Sequence, residues 1–138
     1  MSYDLIRNGL SDLMQGLGLQ VSRYATLEGV PSSEYGNVFL LATKSGLNNE
    51  GTSETLSDRV YDIQTWEIQI PFQKSNENQQ ANYDEINRKR DLIVKTVDKP
   101  GNWESYVRVQ KFIDWEIEDR KSFFLLTIRL KIVDTIIY

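Results

Sequence analysis

Residues 60–72, VYDIQTWEIQIPF, alternate apolar and polar side chains, the pattern of a strand with one buried face. Counted from Arg59 the run is 14 residues long, and a straight strand of that length reaches about 46 Å. A globule of 138 residues is only about 37 Å across. The strand must therefore bend, or send one end out as an arm, and the other elements must pack around it. The alternation also changes phase: Tyr61 and Ile63 fall at odd positions, Trp66, Ile68, Ile70 and Phe72 at even ones. A shift of one residue sends every later side chain to the other face, so a bulge or bend is expected near Gln64 and Thr65.

A Gln/Asn-rich turn, residues 75–81, leads into a helix that completes the organising unit of residues 59–100. Asn82 is expected as its N-cap, with Glu85 closing a capping box and Asp84 favouring the N-terminal dipole. Tyr83, Ile86, Ile93, Val94 and Val97 fall on one side at helical spacing. Lys95 and Lys99 sit near the C-terminal end, where Pro100 and Gly101 stop the helix. Arg88, Lys89 and Arg90 resemble a nucleic-acid patch, but consecutive helical residues point about 100° apart. Asp84 and Glu85 precede Arg88 and Lys89 by four residues, so a salt-bridged surface is expected instead.

Upstream, Ser2 is a candidate N-cap for a first helix carrying Tyr3, Ile6, Leu10, Leu13 and Leu17 at helical spacing, with Gly16 or Gly18 as its left-handed cap. Asn8 and Gly9 inside this pattern mark a place where something packs closely, at a propensity cost of about 1 kcal/mol. A strand is expected within residues 19–27, a loop over 28–36, and a buried central strand over 37–43, which carries the run VFLLA. Residues 44–58 are almost wholly polar and are expected to lack regular structure. Loops of that length in compact domains tend to be functional or disordered. Near the C-terminus a hairpin is expected. Val107, Val109, Ile113, Trp115 and Ile117 form one apolar row, and Phe124, Leu126, Ile128, Leu130 and Ile132 the other. An even number of loop residues must join them. Thr127, Arg129, Lys131 and Thr135 should face outward, and Trp66 and Trp115 should lie in the core.

The expected fold is α+β: one domain over residues 1–138, with a mainly antiparallel twisted sheet flanked by two helices and a long strand or hairpin arm. No cysteine and no histidine occur, so disulfides, thiolate metal sites and nucleophile–histidine catalysis are excluded. Twenty acidic against 16 basic residues argue against tight sequence-independent DNA binding. The N-terminus lacks the regions of a signal peptide, and no apolar run reaches membrane-spanning length, so folding in a cytoplasm-like compartment is expected. No catalytic residue, cofactor or metal site is assigned. Carboxylate chemistry would have only Asp58, Asp62 and Glu67 to draw on, and surface charge is the plainer reading of all three. The polar loop and the apolar chain end supply the candidate assembly contacts: Leu47, Asn48, Asn49, Glu50, Thr52, Glu54, Leu56 and Tyr138.

The order of elements resembles the tail terminator and neck proteins of long-tailed bacteriophages, small α/β proteins that close the tail tube as a ring. The resemblance lies in the Tyr-Asp-led alternating strand of residues 61–72, the acidic helix start at Tyr83, Asp84, Glu85 and Ile86, and the strand over residues 123–138. It is one of pattern and size. It implies a hexameric ring in the virion, assembled in the host cytoplasm, which contacts the tail tube protein and the head connector and lets DNA pass through its lumen. Two other classes stay open: an intracellular protein-binding adaptor, and a small carboxylate enzyme.

Overall fold

The computed structural model describes residues 2–43, 54–56, 59–74, 78–104 and 107–137. The elements are α1 (Ser2–Gly16), β1 (Gln20–Val21), β2 (Val38–Thr43), β3 (Glu54–Leu56), β4 (Arg59–Phe72), α2 (Gln79–Asp98), β5 (Val107–Asp119) and β6 (Phe124–Ile137). Together they form an α+β domain. Its sheet runs in the order β1-β2-β4-β6-β5, with β3 pairing β4. All pairings are antiparallel except that of β1 with β2.

The long strand β4 is the spine, but its phase change has a different cause from the one expected. It pairs with β6 without a break from Arg59 opposite Ile137 to Phe72 opposite Phe124, so no bulge lies at Gln64 or Thr65. The apolar side changes instead. Trp66, Ile68, Ile70 and Phe72 lie in the core with Ile6, Ile86 and Ile93 of the helices. Ile63, by contrast, stands on the opposite face across from Val133, which is itself buried. The bulges are in β5, where the register with β6 shifts between Val109 and Lys111 and again between Phe112 and Asp114. Two shifts restore the original phase, so the inward row is Val107, Val109, Phe112, Trp115 and Ile117. Phe112 replaces Ile113 in that row, and Ile113 falls at a bulge and is exposed. Asp119 pairs with Phe124 across four connecting residues, the even count that two apolar rows on one side require.

Both helices lie on one face. α1 ends in a Schellman cap: Leu19 N–H donates to the Met14 carbonyl, Gly18 N–H to that of Gln15, and Gly18 takes φ 88°. Ser2 falls within the helix rather than capping it. Gly9 marks the expected close approach. A Cβ there would stand 2.6 Å from Trp103 Cζ3, and the Trp103 indole is anchored by its N–H on the Val97 carbonyl at 2.7 Å. α2 begins a turn earlier than the capping box implied. Asn78 is the N-cap, its side chain accepting from Ala81 N–H at 3.0 Å, and Asn82 is a buried residue of the second turn. Tyr83, expected on the buried side of α2, is 37% exposed.

Three further expectations are corrected. In residues 19–27 only Gln20–Val21 is strand, and Leu27–Gly29 is a 3-10 turn held by Thr26. β2 lies towards one side of the sheet and is half-buried beyond Phe39, while β4 and β6 occupy the centre. Thr127 does not face solvent. Residues 22–37 cross the sheet's other face, where Leu27 and Tyr35 cover Phe123 and Leu125 and leave Thr127 buried.

Candidate assembly surfaces

β5 pairs with β6 on one side only; on the other side no described strand pairs with it. Its second bulge turns Ile113 outward, 41% exposed, and leaves Trp115 45% exposed at the mouth of a groove against α2. The groove holds about 490 Å³ and is floored by Phe112, Val94 and Ile128. Arg90 reaches across it from α2, its guanidinium 4.0 Å from the Trp115 ring centre and 2.6 Å from the Asp91 carboxylate. Trp115, expected in the core, is therefore a rim residue. The pairs expected on α2, Asp84 with Arg88 and Glu85 with Lys89, do not form among the described residues: Asp84 accepts from Gln80 instead.

On the sheet's other face a single arginine ties three strands. Arg129 of β6 donates to Glu67 of β4 at 3.0 Å, and to Asp114 and Glu116 of β5 at 2.9 and 2.7 Å. Glu116 and Asp114, with Glu67, raise its pKa above the already high arginine value. Glu67 is thereby engaged as a structural partner, not held free as an acid or base. The side chains of Asp58 and Asp62 lie outside the described residues. Among the described residues no three acidic side chains are placed to hold a metal ion.

The sequence-derived assembly contacts are only partly placed. Glu54 and Leu56 belong to β3, paired with Tyr61 and Arg59, and not to an irregular loop. Leu47, Asn48, Asn49, Glu50, Thr52 and Tyr138 lie outside the described residues. β2 and β3 lie along the same edge of β4, opposite residues 66–69 and 59–61. The polar segment thus leaves that edge after Thr43 and rejoins it at Glu54. At the far end of the sheet, β1 exposes Val21 at 51% and the following bend exposes Tyr24 at 36%. Sequence reasoning missed Ile113, Trp115 and Arg90 as a surface. The signal was the lysine interrupting the apolar row at position 111, where the first bulge ends.

No family model matches the chain, and no curated protein matches it in sequence. Among the described residues, no helix is long and apolar enough to cross a membrane.

Proposed function

We propose that the chain is a structural protein of a phage virion, a ring that caps the tail tube and joins it to the head connector, with DNA passing through its lumen. The observation that carries this reading is that the sheet ends in two unlike edges. One is the 13-residue β5 with its apolar groove, and the other is the short β1 with exposed Val21 and Tyr24. Contacts between unlike edges are head-to-tail, and a repeated head-to-tail contact closes into a ring where its rotation allows. The family resemblance supplies the number six and the neighbours. The adaptor and the enzyme readings have no observation in their favour, and the engagement of Glu67 by Arg129 weighs against the second.

Electron microscopy of the purified protein mixed with isolated tail tubes tests the proposal. Closed rings of six subunits, seated at one end of each tube, are expected. Two-fold dimers, open filaments, or decoration along the tube wall would overturn it.

A further inference from the structure

We infer that residues 23–35 form a strap over the sheet face away from the helices, latched by the pair between Glu28 and Arg120, and that it lifts as one unit while the rest of the domain stays folded. The inference does not depend on the ring reading above.

The strap is fixed at its two ends. Ser22 N–H donates to the Phe39 carbonyl at 3.0 Å, and Gly36 N–H to that of Pro71 at 2.7 Å. Gly36 takes φ 82°, a conformation open to glycine and strained for other residues, so the bend where the strap leaves the sheet is set there. Between these ends, among the described residues, the one polar contact with another element is the Glu28 carboxylate on Arg120 at 2.7 Å. The remaining bonds are the strap's own. Gly29 N–H donates to the Thr26 carbonyl, Val30 to Leu27, Glu34 to Pro31 and Tyr35 to Ser32, and the Tyr24 hydroxyl joins the two halves by donating to Glu34. A segment bonded mostly to itself moves as a body. Its grip on the sheet is small: its buried side chains are Leu27 and Val30, and half-buried Tyr35 holds its ring 5.5 Å from that of Phe123. Few buried apolar groups and few bonds to the rest of the fold put a segment at the low end of local stability. Glu28 is 64% exposed and Arg120 34%, so their pair steadies the strap without locking it. Lifting adds Phe123 and Leu125, beside Leu40, to the accessible surface. This face therefore offers its apolar strip to a neighbour only in the lifted state.

The chain has no cysteine, so a single introduced thiol reports its own exposure. Three full-length variants are labelled with an aromatic disulfide reagent in rising urea, below the unfolding transition. V30C lies in the strap, L125C beneath it, and V97C in the core under α2 as the reference. V30C and L125C are expected to share one shallow urea dependence, less than about half that of V97C, because urea sensitivity scales with the surface an opening exposes. Adding E28Q is expected to speed both by the same factor, about threefold to fivefold, the size of an exposed ion pair. Thermal melts check folding, and T127C, a milder change under the same strap, takes the place of L125C where that variant does not fold. Slopes for V30C and L125C as steep as that of V97C would mean that the strap opens only with the whole domain. Unlike slopes for the two would mean that it frays piecemeal. Either result overturns the inference, and rates unmoved by E28Q overturn the latch.

Discussion

Trp66 and Trp115 stand on the same face of the sheet, opposite Leu130 and Ile128 of β6, yet one is 1% exposed and the other 45%. The difference is what lies above them. Trp66 sits beneath α1, with the Tyr3 ring 5.3 Å away, whereas Trp115 sits at the sheet's margin under a single arginine. Trp66→Ala is expected to cost about 3–5 kcal/mol. Trp115→Ala should cost about 1 kcal/mol or less, the size of a partly exposed cation–π contact. Urea unfolding of both variants measures this, and comparable losses would place Trp115 in the core. Alternation gave each side chain its face; it could not say how far a helix extends over that face. Gly9 was more legible, because a glycine costs helix propensity unless something needs the space. The indole of Trp103 needs it, and its hydrogen bond to Val97 keeps it from moving aside. Gly9→Ala is expected to destabilise by about 1–2 kcal/mol, overpacking outweighing the gain in propensity. Gly16→Ala, with nothing within 4 Å of the added methyl, should be neutral or stabilising. A Gly9→Ala variant as stable as the parent would show that Trp103 yields.

At the level of elements, what was legible is whatever a segment's own pattern dictates: both helices, the long strand and the closing hairpin. What was not legible depends on a second segment. The outward row of β6 looked polar enough to be solvated, but residues 22–37 cross it and bury Leu125 and Thr127. The Asn82 and Glu85 spacing satisfied a capping box, but Asn78 lies one turn earlier and its side chain takes Ala81 N–H first. Asn78→Ala should therefore cost about 1 kcal/mol. A calorimetric melt unchanged by that variant would move the helix start back towards Asn82. The Arg129 clasp was invisible for the same reason, since its partners come from two other strands. Glu67 is the least exposed of the three at 20%, against 54% for Asp114 and 51% for Glu116. Exposed pairs are worth about 0–1 kcal/mol. Glu67→Gln should consequently lower stability more than Asp114→Asn or Glu116→Gln; the reverse order in urea unfolding would mean the exposed pairs carry the clasp.

For the whole molecule, the segment between β2 and β3 offers a test that separates folding from the proposed assembly. Thr43 pairs with Trp66 and Glu54 with Tyr61, so the segment's two ends lie five residues apart along β4, about 17 Å. The ten residues 44–53 could span about 33 Å or more if extended, roughly twice the distance required. A six-residue Gly/Ser linker would bridge the same ends, and closure entropy changes little with such a shortening. Leu47 is the single large apolar side chain in the segment, too little to anchor it to the core by burial. Replacing residues 44–53 with that linker, while keeping β3, is expected to leave the melting temperature within about 3 °C and to abolish the capping of tail tubes. The readouts are a thermal melt of the isolated variant and a complementation assay for infectious particles. A melt lowered by about 10 °C, on the order of 2–3 kcal/mol for a chain of this size, would make the segment part of the core. An unchanged melt with full infectivity would remove it from the assembly surface and leave the α2–β5 groove and the β1 end to carry assembly without it.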